Sequence, residues 1–491
     1  MTNLPPPHSL LRLHTDILIH LLNKFLVLQD LTRLSRTSRF LHALVNEFAW
    51  GAYERQNPRP SMSLSKSREK WTAMARVKYD ILTDEAWTQS EFIARPLSGA
   101  WPGKEQPRLA INPSRLVVAA GVTLHSYLFG TSANDHAPPI VHEGSCSLAR
   151  TNHHRNFITA LAFIPDGGRD QTLCVGYHDG TSDYVVILGR SKRQAPPILR
   201  IHRSPSYPLD LPRKDRLQNL VSSRNALLSL SAGGRVMLAS TEMPSLSSSM
   251  VDLQVRSWVS HLSMESPTPY AAFGTSSTTP LTIHLVTNDR LAPLPSAVLS
   301  QAESAAGSSA VYGICSGPPS SPWGPSPQVV VSGWYNGTVL IHDLRSCLRN
   351  SAPRTLESLA PLRPVLSLVN SWSVEPIYSV SCGGGAGSHV AAGSARHSLL
   401  SLWDVRYPTG GFSLHAPLND PSPVYAITLE SSRLFGVTQS RPFVLDFGRG
   451  ITETTYPKLE LGPRGLTHPN QKGQDGFGYY VTKYQHQSPR V

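Results

Sequence analysis

The sequence predicts a mainly β chain with a small α module at its N terminus, and three observations predict it. Apolar residues make up 40% of the chain, enough for a sizeable core. Charged residues are only 16%, while 35 Gly and 41 Pro call for many turns and few long charged helices. From about Leu109 onward, short β-rich runs alternate with clusters of Gly, Ser, Asn and Pro. Before that point the apolar residues recur at helical spacing. At 491 residues the chain has room for a small module plus a large one, or for one large repeat ring.

In the N-terminal module, apolar residues follow Leu13 at Ile17, Leu18, Leu21, Leu22 and Phe25, one face of a helix. Asp30 stands at a second helix start, where a carboxylate can accept orphan backbone N–H groups, and Leu31 and Leu34 follow. Phe40, Leu41, Leu44 and Val45 repeat the pattern in a third helix, with Trp50 after it. Asn57-Pro58-Arg59-Pro60 and the Ser/Lys-rich run to Lys66 break the pattern. These helices carry more apolar positions than so small a module can hide. Either they pack on the rest of the chain, or they present a partner surface. The expected organisation is residues 10–56 for the module, 57–105 for a linker and bridging helix, 106–448 for the ring, and 449–491 for a partly disordered tail. Trp71, Trp87 and Trp101 in the bridge suit packing of the module against the ring better than a ligand cage.

In the ring, the clearest unit is Val329 to Arg345. It holds a strand, a tight turn at Asn336-Gly337 that supplies the positive φ of a two-residue hairpin, and a second strand ending at Asp343. Val390 to Gly393 with Leu399 to Arg406 is a second copy. Leu173 to Gly180 with Tyr184 to Leu188, preceded by Ile158 to Phe163, is a third. Weaker copies start at Leu116, Leu227, Ala271 and Leu434. Ser90 to Leu97 is expected to pair with Phe443 to Phe447 and close the ring, protecting sheet edges that a linear array would leave open.

Two resemblances follow from these residues. Leu13-His14-Thr15-Asp16-Ile17-Leu18, Leu21-Leu22, Phe25-Leu26, Asp30-Leu31, Leu34, Thr37-Ser38-Arg39-Phe40 and Trp50 resemble the F-box motif over roughly residues 10 to 55, with His14 where that family usually has Pro. Trp403-Asp404, the turn residues Asp179 and Asn336, and His154 before Ile158 resemble the WD repeat. Such repeats run about 40–45 residues, and the Pro/Ser-rich insert Gly317 to Gln328 favours seven of them over eight. The fold these resemblances imply is a helical F-box followed by a seven-bladed WD-repeat β-propeller.

The implied function is a non-catalytic substrate-recognition subunit of a cullin-type ubiquitin ligase. The F-box would dock a Skp-type adaptor through Leu13, His14, Ile17, Leu18, Leu21, Leu22, Leu26 and Leu31, with Phe40 and Trp50 as the module's own core. The propeller would hold the target. Turns between second and third strands would bring Tyr177, His178, Trp334, Tyr335, Arg396 and Arg441 to one face of the ring. Tyr, Trp and Arg dominate binding hot spots, and Arg suits an acidic or phosphorylated segment. A scaffold propeller that recruits no ligase is one rival reading, and a nucleic-acid-binding propeller is another.

Other function classes find little support. There is no HExxH, phosphate loop, G-x-S-x-G or kinase signature, so an enzyme is not expected, nor a cofactor. His153-His154 lacks partners at zinc spacing. The five cysteines are odd in number, widely spaced and without CxxC. That favours a reducing compartment, hence cytoplasm or nucleus. No stretch of eighteen apolar residues predicts a membrane span. The net charge of +12 is scattered. Its densest run, Arg190-Ser191-Lys192-Arg193, reads as a solvated loop, so nucleic acid is not the expected partner.

Overall fold

The structure is a computed structural model that describes residues 10, 13–103, 105–132, 135–149, 157–190, 197–205, 215–242, 248–301, 307–346, 360–418, 420–459, 478–479 and 481–486. His153, His154, Cys347 and most of the Arg190–Arg193 run lie outside the described residues.

Six helices open the chain: α1 (Thr15–Lys24), α2 (Leu28–Ser35), α3 (Arg39–Leu44), α4 (Trp50–Gln56), α5 (Ser65–Arg68) and α6 (Ala73–Gln89). Ser38 caps α3 by accepting from the Leu41 N–H at 3.2 Å. A π-helical turn, Val45–Ala49, carries α3 on into α4. Leu18, Leu22, Leu31, Leu41, Leu44, Val45 and Trp50 form the module's core, and Val77 of α6 completes it. α6 is apolar on a second side as well, where Tyr79 and Trp87 face the ring.

The rest is a ring of antiparallel meanders, a β-propeller arrangement. Its strands are β1 (Ile93–Pro96), β2 (Arg108–Ile111), β3 (Arg115–Ala120), β4 (Thr123–Phe129), β5 (Ile140–Ser147), β6 (Ile158–Phe163), β7 (Thr172–Tyr177), β8 (Ser182–Arg190), β9 (Leu199–Pro205) and β10 (Leu217–Ser223). They continue as β11 (Ala226–Ser231), β12 (Arg235–Ser240), β13 (Ser248–Asp252), β14 (Ser257–Ser263), β15 (Tyr270–Ser277), β16 (Leu281–Thr287), β17 (Arg290–Leu291), β18 (Ala297–Leu299), β19 (Ser309–Ser316) and β20 (Val329–Trp334). The last are β21 (Thr338–Asp343), β22 (Leu366–Val369), β23 (Ile377–Gly383), β24 (His389–Ser394), β25 (Leu399–Asp404), β26 (Tyr407–His415), β27 (Val424–Leu429), β28 (Arg433–Thr438), β29 (Pro442–Asp446) and β30 (Lys483–Gln485).

Five sheets are separate blades of four or five strands: β2–β5, β6–β9, β10–β13, β23–β26 with β30, and β27–β29 with β1. The sixth has nine strands, β14 to β22, because the end of β15 pairs with the start of β19 at Ser276↔Ala310 and Ser277↔Ser309. The expected seven separate blades are thus corrected to five, with one continuous sheet in the place of two. The physical reason is length: β15 runs eight residues where the second strands of the other meanders run six, so Ser276 and Ser277 extend past its own blade and pair with β19. Inner strands neighbour one another in the order β2, β6, β10, β14, β19, β23, β27 and back to β2, enclosing a central channel.

Closure occurs at the expected segments: β1 pairs with β29, Ile93 opposite Asp446 and Pro96 opposite Phe443. Part of the expected tail also packs on the ring, since β30 adds a fifth strand beside β26. The three bridging tryptophans all seat against the ring. Trp71 Nε1 donates to the Ser132 carbonyl (2.9 Å), Trp87 Nε1 to Ser431 (2.9 Å) and Trp101 Nε1 to Gln439 (2.6 Å). The Trp87 ring also stacks on Phe447 at 3.6 Å. Buried Glu430 accepts from the Met62 N–H (2.8 Å) and from the Ser61 hydroxyl (3.0 Å), with Ser63 close beside them. The helices therefore cover the end of the ring formed by turns between first and second strands. Among the described residues, no helix is long and apolar enough to cross a membrane.

Candidate functional site

The opposite end of the channel is built by a repeated irregularity. In six of the meanders the inner strand slips register by one residue against its neighbour, leaving one residue without a partner. Those residues are Thr159, Gln218, Trp258, Tyr312, Tyr378 and Tyr425. A β-bulge re-aims the side chain it carries, and here all but Thr159 line the channel. Arg108, the first residue of β2, completes the circle.

The mouth is divided by chemistry. On one side the rings form a continuous arc: Trp258 to Tyr312 at 5.1 Å edge-to-face, Tyr312 to Tyr378 at 5.4 Å edge-to-face, and Tyr378 to Tyr425 at 5.8 Å stacked. Tyr335 joins at the rim, 6.4 Å from Tyr312. On the other side stand guanidinium groups. Arg108 Nε donates to the Thr159 carbonyl at 2.6 Å, and Arg216 Nε to Gln218 Oε1 at 3.0 Å. Arg256 lies over the Trp258 ring at 4.2 Å, which links the two sides.

Burial, with the Arg216 charge next, pushes Arg108 down to about 10. Burial and then Arg256 lower Arg216. Burial raises Tyr312 and Tyr425, with Tyr378 adding to each. Mutually repelling guanidinium groups beside partly desolvated rings favour an anion that carries an apolar or aromatic neighbour. The channel holds about 450 Å³. A side cleft of about 220 Å³ adds Glu105, Phe157 and His178 beside Arg108 and Arg216.

Of the residues expected to bind the target, Tyr335 and His178 reach this mouth. Tyr177 and Trp334 do not: both are core, with 0% and 1% exposure. Each ends the second strand of a blade, where the residues beside it are buried on both faces of the sheet, and the exposed turn begins one residue later. Tyr177 lies under the Arg203 guanidinium, and Trp334 Nε1 donates to Ser332 Oγ at 2.9 Å. Arg396 is exposed and faces Glu375 at 3.6 Å, while Arg441 is held toward Asp420 at 4.0 Å. Sequence reasoning missed the bulge residues. A signal was there: Val311-Tyr312-Gly313, Ile377-Tyr378-Ser379 and Val424-Tyr425-Ala426 place Tyr between an aliphatic and a small residue at three successive inner strands.

Asp179 and Asn336 sit at exposed turns and bond only locally. The Asp179 carboxylate accepts from the Thr181 N–H (3.0 Å) and hydroxyl (2.6 Å). Asn336 Oδ1 accepts from the Thr338 N–H (3.3 Å) and hydroxyl (2.8 Å).

The helical module carries a second open surface. A groove of about 320 Å³, almost wholly apolar, is walled by Leu18, Leu21, Leu22, Leu26, Leu34 and Leu41, with Asp30 and Arg33 at its edge. Leu13, Ile17, Phe25 and Phe40 are exposed, as is His14, and Leu21 and Leu26 are half-buried. One expectation is corrected here: Phe40, expected in the module's core, is 46% exposed. Leu18, Leu22 and Leu31 belong to that core, and Leu18 and Leu22 also wall the groove. Trp50 is core as expected.

No family model matches the chain, and no curated protein matches it.

Proposed function

We propose that this protein is a non-catalytic receptor that joins a target to a ubiquitin-ligase adaptor. The mouth of the ring takes the target and the helical module docks a Skp-type adaptor, linked through it to a cullin. The observation that carries this reading is the arrangement of two open surfaces of different chemistry on one rigid frame. The apolar groove and the cationic, aromatic mouth lie on separate parts of the chain, and α6 is built into both cores between them. A rigid link between two binding surfaces raises the effective concentration of one ligand at the other, and no residue need make or break a bond. The mouth's target is an acidic or phosphorylated segment with an aromatic or aliphatic neighbour.

The test is reconstitution of the intact chain with a Skp-type adaptor. Replacing Ile17 and Leu21 together by Asp puts charge on the groove wall and the exposed face beside it, outside the core that Leu18 and Leu22 supply. Adaptor capture should be lost while the melting temperature of the ring is unchanged. Undiminished capture by the doubly changed chain would remove the ligase reading and leave a propeller scaffold.

The three mouth arginines beside a stacked arc favour a second reading, single-stranded nucleic acid. Affinity falling steeply with salt for an oligonucleotide, with none for an acidic peptide, would select it.

A further inference from the structure

Cys315 and Cys382 belong to the inner strands β19 and β23 of adjacent sheets, and no backbone ladder joins those sheets. Away from one backbone bond between turns, Ser320 N–H to the Gly387 carbonyl at 2.9 Å, the joint is packed side chains. The two sulfur atoms stand 3.6 Å apart within the apolar cluster between the sheets. Cys315 also lines the central channel, so a small polar oxidant can reach it from solvent. We propose that Cys315 and Cys382 are a reversible oxidation site, at which peroxide forms a disulfide that staples the nine-stranded sheet to the blade after it.

Bond formation requires the sulfurs to close to about 2.05 Å, which side-chain rotation can supply when the atoms already touch. Burial, with the neighbouring Cys315 next, holds the Cys382 thiol well above its ordinary range, so Cys315 is the first nucleophile. Its thiolate attacks one peroxide oxygen, the O–O bond breaks, and hydroxide leaves, taking up a proton to become water. The product is Cys315 sulfenic acid. The Cys382 sulfur then attacks the Cys315 sulfur, the S–O bond breaks, and the hydroxyl leaves with the Cys382 proton as a second water. Two thiols are oxidised by two electrons and one peroxide is reduced to two waters. A dithiol reverses the reaction by exchange.

The link would close a loop between residues 67 apart in sequence, which contains β20, β21 and β22. A cross-link spanning so long a loop removes much freedom from the unfolded chain.

The experiment treats the full-length chain with dilute hydrogen peroxide, alkylates the remaining thiols under denaturing conditions, and maps the peptides by mass spectrometry. The expected result is one cross-linked peptide pair, Cys315 to Cys382, with two of the five thiols lost and both recovered by dithiothreitol. The oxidised chain should melt roughly 5 °C higher than the reduced one. Cys315→Ser and Cys382→Ser should each abolish the cross-link and the shift while melting close to the reduced wild type. Alkylated Cys315 and Cys382 after peroxide, a cross-link from either to another cysteine, or irreversible sulfinic acid at Cys315 would each overturn the proposal.

Discussion

The two ends of the ring are made from the same strands and have opposite characters. At the covered end, polar turn residues are spent on the helices: Glu430 binds the Ser61 to Ser63 segment, Ser431 takes the Trp87 indole, and Ser432 accepts from the Tyr79 hydroxyl at 3.2 Å. Deeper still, Arg433 and Asp446 form a fully buried pair at 2.9 Å, and the Tyr456 hydroxyl donates to the same carboxylate. At the open end, bulges turn five side chains into the channel, where the rings touch one another and the arginines stand together. Buried polar groups with partners hold a structure together, whereas clustered like charges beside half-buried rings wait for a ligand. On the proposed reading, the contrast assigns stability to one end and recognition to the other.

The largest effect should come from breaking the covered end. Trp87→Ala removes a buried indole, its stack on Phe447 and its bond to Ser431. The expected cost is about 3–5 kcal/mol, with a fall in melting temperature of roughly 3–5 °C, read by calorimetry. Binding at the mouth, measured well below the transition, should hardly change. A variant that melts normally but loses mouth binding would reverse the assignment of the two ends.

Next in size is the mouth itself. Tyr312→Ala opens the middle of the arc and Arg256→Ala removes the cation over Trp258. Each should weaken capture of a labelled acidic peptide containing Glu and Tyr by roughly ten- to a hundredfold. Arg256 is exposed, so its variant should melt within about 1 °C of the wild type. Fluorescence anisotropy measures the first quantity and circular dichroism the second.

A smaller effect, on pH dependence, sharpens the contrast further. Burial pushes His342 down to about 4, partly opposed by its hydrogen bond to the Ser300 carbonyl, and burial likewise holds His261 and His486 at about 4. The unfolded chain therefore takes up these protons first, near the ordinary value of about 6.5. Stability from the neutral imidazoles is full above that pH and is lost as pH falls from about 6.5 toward 4. His342→Asn should flatten the acid limb of a melting-temperature profile. An unchanged slope would show that His342 does not set it.

The smallest expected effect is at Arg396. Its side chain is 70% exposed, faces Glu375 and is not among the residues lining the channel, so Arg396→Ala should alter peptide affinity less than threefold. A larger loss would extend the site from the channel out to the rim turns.

Local pattern in the sequence was enough to find the helices near Leu18, Leu31 and Leu41, the hairpin at Asn336-Gly337 and the closing strand near Ile93. Each depends on a period, a turn dipeptide or an edge that must be covered. Fusion of two meanders was not legible, since it depends on Ser276 and Ser277 at the end of β15 meeting the start of a strand more than thirty residues on. The faces of Leu18, Phe40, Tyr177 and Trp334 were not legible either. A periodic pattern says that one side of an element is apolar, but two packed faces or a neighbouring helix decide which residues are hidden. The mouth shows the same division. The sequence by itself determined that Tyr312, Tyr378 and Tyr425 recur beside small residues at inner strands. Only the tertiary structure decided that register slips turn them inward, because a bulge arises from pairing with the next strand and has no meaning for a strand alone.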